Sequence, residues 1–227
     1  MLSENLIQIA GIRDAGEAEM LQQCGVRYLG FPLRLSVHRE DISEELASQI
    51  IRALEPPVFG VLITYLDSAP EIIELCATCG AHIVQLHGDV AVDEVAMLKK
   101  SAPRLTIIKS LVVGLHSEAV LEAMVEKFSP MVDAFITDTY DANTGASGAT
   151  GKTHDWRVSR RLVELSARPV ILAGGLNPGN VRRAIREVKP FGVDAHTGVE
   201  DDRGGKSREK VARFVAEAQI GFGLMRP

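Results

Sequence analysis

Apolar and polar positions along this chain follow two alternating regimes. Short runs that are apolar at nearly every position give way to longer stretches with apolar residues three or four positions apart, and the cycle repeats eight times. A continuous apolar run marks a strand covered on both faces, and the three-to-four spacing marks a helix with one buried side. The predicted strands are Leu6 to Ala10, Val26 to Phe31, Val58 to Ile63, His82 to Leu86, Leu105 to Leu111, Val132 to Asp138, Pro169 to Ala173 and Gly192 to Ala195. The predicted helices run from Asp14 to Cys24, Ser43 to Leu54, Pro70 to Cys79, Val92 to Ser101, Ser117 to Phe128, Asp155 to Ser166, Pro178 to Glu187 and Ser207 to Gln219.

Start signals support the helices. Asp14, Ser43, Ser68, Ser117 and Asn177 can each accept an amide proton at an amino end, and Pro70 and Pro178 suit a first turn. The repeat averages about 28 residues, the length of one strand–helix unit. No linker or composition break divides the chain, so one domain over residues 1–227 is expected. Eight such units close into a single (β/α)8 TIM barrel. An open, doubly wound α/β sheet shares the same local pattern and is the alternative.

Composition narrows the function classes. The formal charge is −5 and 46% of the 227 residues are hydrophobic. That balance supports a sizeable core and gives no electrostatic reason to expect nucleic acid or an acidic membrane surface. No run approaches the roughly 18 apolar residues that span a bilayer. The first ten residues lack a secretory pattern, so a cytoplasmic protein is expected. Cys76 and Cys79 form a C-x-x-C inside a predicted helix, with no second half to complete a zinc site. Two small packing residues are the expected reading, and neither metal nor cofactor is called for.

In a barrel of this kind the site lies where strands end. Polar and glycine residues concentrate there: Thr64, Gln85 to Asp89, Lys109, Asp138, Gly174-Gly175, and Asp194 to Gly198. Gly174 and Gly175 follow the seventh strand, and Thr197 and Gly198 the eighth. Glycine amides and helix amino ends suit an anion, and barrels often hold phosphate at these two exits. The long loop from Tyr140 to His154 is a candidate ligand loop. Its Gly151-Lys152-Thr153 lacks the first glycine of a P-loop, which excludes a nucleotide site of that type. Asp138 is a candidate general acid, because burial raises a carboxyl pKa. For Asp194 the same reading stands beside a loop-anchoring one, and His87 either bonds a ligand or staples its loop. Lys109 either pairs with a carboxylate inside the barrel or meets an anion.

Several ordered motifs resemble phosphoribosylanthranilate isomerase, a family of tryptophan biosynthesis. They are Val84-Gln85-Leu86-His87-Gly88-Asp89, the strand ending at Asp138, and Gly148 to Trp156. Leu172-Ala173-Gly174-Gly175-Leu176 with Asn180-Val181, and Gly192 to Glu200 with Gly205-Lys206, complete the set. The resemblance implies an Amadori rearrangement of a phosphorylated aminoaldose into an aminoketose, with no cofactor. It implies Asp138 as the acid, with Arg39, Gln85, His87 and Asp194 on the substrate. It also implies phosphate on the amides around Gly174, Gly175, Thr197 and Gly198. The partner would be a phosphorylated small molecule, and the chain a monomer or homodimer.

The chain departs from the family pattern at its first strand. Gln8-Ile9-Ala10-Gly11 stands where the family has K-I-C-G, and the Cys is the family's general base. Ala10 cannot accept a proton. Gln8 replaces a Lys, His196 a small Ser, and Val90 an acidic residue, while Val37-His38 replaces Ser-Pro before Arg39. Three readings follow: an isomerase with a substitute base, His38 or His196; a related enzyme for another phosphorylated molecule; or a non-catalytic binder of such a ligand.

Overall fold

The computed structural model describes residues 2–35, 40–141, 146, 147, 151 and 153–223. Eight strands form the barrel: β1 Leu6–Ala10, β2 Tyr28–Leu33, β3 Phe59–Thr64, β4 Ile83–Leu86, β5 Thr106–Val113, β6 Ala134–Asp141, β7 Val170–Leu172 and β8 Gly192–Ala195. The helices are α1 Ala15–Gln23, α2 Glu44–Ala53, α3 Ala69–Cys79, α4 Val92–Ser101, α5 Glu118–Phe128, α6 Trp156–Leu165, α7 Val181–Val188 and α8 Arg208–Gly223. A single 3-10 turn, Thr197–Val199, follows β8. A two-residue strand, Ala146–Ser147, pairs antiparallel with the end of β6 and lies outside the barrel count.

All barrel pairings are parallel. Each strand pairs with its successor from β1 to β8, and β8 pairs back with β1, so the sheet has no edge. This settles the choice against the open sheet. The side-chain period of two then divides the strands between two cores. Leu6, Tyr28, Val61, Ile83, Ile108, Ile136 and Ile171 fill the barrel interior. Ile7, Leu29, Leu62, Val84, Ile107, Phe135 and Val193 face outward and pack under the helices. Burial on both faces is why the strands read as unbroken apolar runs.

Three of the expected caps form as read. Asp14 accepts from the Glu17 amide at 2.8 Å, Ser43 from Leu46 at 3.3 Å and Ser117 from Val120 at 3.4 Å. Ser68 precedes α3 but makes no cap bond, since Pro70 at the second position has no N–H to offer, and Glu94 on α4 takes the Ala69 amide at 2.7 Å. The seventh helix begins at Val181 rather than Pro178. Asn177 instead accepts from the Gly179 amide at 2.8 Å, which folds Pro178 and Gly179 into a turn ahead of the helix. Cys76 and Cys79 are buried on α3, and desolvation pushes the Cys76 thiol up to about 12. They are packing residues.

Gly192 marks the closing seam. It pairs with Leu6, and a Cβ there would stand 2.8 Å from the Leu6 carbonyl oxygen and 2.7 Å from its Cβ. Gly192→Ala should therefore cost about 1–3 kcal/mol in denaturant unfolding, the range for overpacking. Unchanged stability would contradict this view of the seam.

Candidate active site

The strand ends open into one cavity of about 460 Å³. Its walls include Ala10, Gln85, His87, Asp138, Gly174, Gly175, Asp194, His196, Thr197 and Gly198. Asp138, Gln85, His87, Asp194, Gly174, Gly175, Thr197 and Gly198, singled out from the sequence, meet here, while Thr64 and Lys109 do not line the cavity. Arg39, with His38, lies outside the described residues.

The cavity floor is polar and desolvated. Gln8 is buried, and its amide nitrogen donates to Gln85 Oε1 at 3.0 Å. Gln8 stands opposite Asp194 in the β1–β8 register and also hydrogen-bonds its carboxylate. Burial, and next the nearby charge of Asp138, push the Asp194 carboxyl up to about 7, against the opposing pull of Gln8 and Lys206. Asp194 Oδ1 and Gln8 Oε1 are buried with no protein partner among the described residues. An unpaired buried oxygen is costly, so these atoms ask for a donor from a ligand or a proton.

Asp138 projects from β6. Burial raises its carboxyl above the usual range, while His87 and the Thr139 amide pull the other way. Oδ1 accepts from Thr139 N at 2.7 Å, and Oδ2 lies 4.0 Å from His87 Nδ1. The His87 ring nitrogen also shares a hydrogen bond with Ser110 Oγ at 3.1 Å, and the ring tilts against Tyr65 with centroids 4.8 Å apart. His87 thus both lines the cavity and holds the β4 exit in place. Lys109 takes neither role expected of it. Its ammonium turns outward and donates to the carbonyls of Leu86, Gly88 and Ser110 at 3.0–3.4 Å, with burial lowering its pKa to about 8. It braces the loop that carries His87.

The exits of β7 and β8 are packed together. A Cβ on Gly198 would overlap the Leu176 carbonyl oxygen, so only glycine permits this approach. Gly174, at φ 99°, leaves no room for a side chain against Thr139 Oγ1. That hydroxyl is bridged at 2.8 Å to His154 Nδ1, and His154 Nε2 meets Ser159 Oγ at 2.6 Å. Burial lowers His154 to about 4, so it is a neutral strut beneath Gly174. Among the described residues, no acceptor takes the amide protons of Gly174, Gly175, Thr197 or Gly198. These four residues line the cavity with their amide donors unclaimed.

On the β8 side, the His196 ring lies over Gly11, where a Cβ would collide with it. His196 Nε2 is 3.4 Å from Glu200 Oε1 and 3.8 Å from Asp41 Oδ2. The buried Lys206 grips Glu200 at 2.6 Å. Asp41, Tyr65 and Arg13 also line the cavity and were not singled out from the sequence. Tyr65 and Arg13 directly follow the β3 and β1 exits, so the strand-end rule could have found them, whereas Asp41 lies well past the end of β2 and carries no such signal.

A closed (β/α)8 barrel with one cavity at its strand exits and desolvated carboxyls on the cavity floor is the architecture of a barrel enzyme. The comparisons fix the family. The model of N-(5'-phosphoribosyl)anthranilate isomerase matches residues 7–217. The N-(5'-phosphoribosyl)anthranilate isomerase 2 of Methanosarcina mazei is 42% identical over 222 residues, covering 97% of this chain and 96% of that protein. The isomerase of Haloferax volcanii is 34% identical, covering 96% and 95%. The crystal structure of the Thermotoga maritima phosphoribosyl anthranilate isomerase superposes with a TM-score of 0.80 at 29% identity, covering 95% of this chain and 98% of that one. A phosphoribosyl anthranilate isomerase in complex with reduced 1-(o-carboxyphenylamino)-1-deoxyribulose 5-phosphate gives 0.78 at 27% identity, over 95% and 98%. This chain belongs to the N-(5'-phosphoribosyl)anthranilate isomerase family.

The floor carries a pH signature. Asp194 keeps its proton to about pH 7 in the folded chain and to about pH 4 when unfolded. The folded state therefore binds more protons between these values, and this contribution to stability is lost as pH rises through about 7. Asp194→Asn should gain a few degrees in Tm over wild type at about pH 8.5 and nothing at about pH 4. An equal difference at both pH values would contradict the raised carboxyl.

Proposed function

We propose that this chain isomerises N-(5'-phosphoribosyl)anthranilate to the corresponding aminoketose phosphate. The carrying observation is that the four unclaimed amides and the raised Asp138 carboxyl face one cavity. The amides of Gly174, Gly175, Thr197 and Gly198 hold the 5'-phosphate. This anchors the sugar with its ring oxygen toward Asp138. A carboxyl that keeps its proton above the ordinary range can protonate that oxygen, opening the ring to a Schiff base. The proton at C2' then leaves, and the resulting enolamine relaxes to the ketone.

The anthranilate portion occupies the side of the cavity with Asp194, Gln85 and His87, and Arg39 pairs with its carboxylate. Asp194 Oδ1 and Gln8 Oε1, which lack donors, suit an aryl N–H near the cavity floor. No helix among the described residues is long and apolar enough to cross a membrane. We place the enzyme in the cytoplasm, acting on a phosphorylated small molecule and not on nucleic acid. It acts as a monomer or homodimer, and a solved Thermotoga maritima relative is described as dimeric.

The direct test supplies N-(5'-phosphoribosyl)anthranilate to purified protein and follows its fluorescence. Turnover of about 1–10³ s⁻¹ is expected, and absence of turnover with intact substrate overturns the proposal. Asp138→Asn should lower kcat by about 10²–10⁴-fold with little change in KM. Inorganic phosphate should inhibit competitively. Gly174→Ala, which crowds Thr139, should weaken that inhibition by roughly tenfold or more, the equivalent of one or two lost amide bonds to a charge.

A further inference from the structure

The proposed reaction needs a group to take the C2' proton, and the β1 exit supplies none. Ala10 contributes only a methyl to the cavity wall. The register pairs Gln8 with Asp194 and Ile9 with Ala195. One step further along, Ala10 has His196 as its neighbour across the seam, with both on the inward side, since side chains at matched positions share a face. Both line the cavity. The His196 ring reaches back over Gly11, filling space that any side chain there would claim. The imidazole therefore lies over Gly11, the residue that follows Ala10, at the rim level of the barrel. Asp194, the other basic candidate on β8, lies two residues earlier and so one layer deeper.

The surroundings suit proton removal. Glu200 and Asp41 both face Nε2, at 3.4 and 3.8 Å. Lys206, gripping Glu200 at 2.6 Å and reaching the His196 carbonyl at 3.4 Å, fixes that carboxylate against the ring. A carboxylate on one imidazole nitrogen sets the tautomer, orients the ring and stabilises the imidazolium that forms. Asp138 stands on β6, two strands around the barrel from β8, whose exit carries His196, so acid and base approach the sugar from different walls.

Resting on the isomerase reading above, we propose that His196 is the general base of this enzyme, the role having moved across the β1–β8 seam from the position of Ala10. The C2'–H bond breaks and its proton passes to an imidazole nitrogen. The electron pair forms the C1'–C2' double bond, and the pair of the protonated C1'–N bond returns to nitrogen, giving the neutral enolamine. The imidazolium then gives the proton to C1', the C2' hydroxyl proton passes to the Asp138 carboxylate left by ring opening, and the C2' ketone forms, so both groups are restored and no co-reactant is needed.

The test compares wild type, His196→Asn, His196→Ser and the double variant Ala10→Cys with His196→Ser. Competitive inhibition by inorganic phosphate reports an intact pocket in each. The expected result is a kcat about 10²–10⁴-fold lower in both single variants, with phosphate inhibition within about twofold of wild type. The added Cys should recover about tenfold or more of the loss, because it restores a proton acceptor one strand away. Wild-type kcat retained in His196→Asn overturns the assignment while leaving the isomerase intact. A fall in kcat matched by lost phosphate inhibition, or one the Cys does not relieve, makes the ring structural and also overturns it. Absence of turnover in wild type removes both readings together.

Discussion

The parallel pairing of β1 with β8 closes the barrel, and most of the site depends on its register. Closure removes the sheet edges and forces inward side chains into layers. It sets Leu6 against Gly192, Gln8 against Asp194 and Ile9 against Ala195. A slip of one residue would turn Gln8 and Asp194 out of the interior and carry His196 away from Gly11. Glycine at 192 and 11 lets the two strands and the imidazole come this close. One seam thus fixes the polar floor, the bare methyl at Ala10 and the ring over Gly11.

Electrostatics within that frame follow from desolvation. Gln8 bonds to Asp194 without neutralising it, so burial and the neighbouring Asp138 raise the Asp194 carboxyl to about 7. Asp138 is raised as well, with His87 and the Thr139 amide opposing. Two neighbouring buried acids each hold a proton more tightly than a solvated carboxyl does. At the rim the logic reverses: Lys206 and Glu200 compensate one another, and the glycine loops of β7 and β8 present amides rather than charges. An acidic chain can therefore still offer a phosphate a favourable seat.

Much of the fold was legible because it is written locally. The buried-strand runs, the caps at Asp14, Ser43 and Ser117, and the glycines at the last two exits carry their own signals. Where expectation and structure part, a competing contact or a missing donor decided. Ser68 is followed at N2 by Pro70, which has no N–H to cap, and Glu94 on α4 holds the Ala69 amide instead. The Asn177 side chain formed a turn and delayed α7. Lys109 turned outward to the β4 carbonyls although its strand exit suggested the pocket. Closure was expected from the count of eight units and is borne out, although the contact between first and last strands that makes it carries no local signal of its own. In the site, the placement of Asp138, Asp194 and the glycines of the last two exits around one cavity was readable from position, helped by the family motifs. Asp41 was not, because its approach to His196 is made by a loop folding over the finished barrel. Arg39 falls outside the described residues.

The central claim is that the phosphate seat at β7 and β8 aligns the sugar between Asp138 and His196. A crystal structure with the reduced aminoketose phosphate, whose linkage cannot react, tests this most directly. The account predicts the phosphate on the amides of Gly174, Gly175, Thr197 and Gly198, with C2' within about 3–3.5 Å of an imidazole nitrogen. Phosphate seated elsewhere in the cavity, or the sugar carbon facing away from the ring, would contradict it.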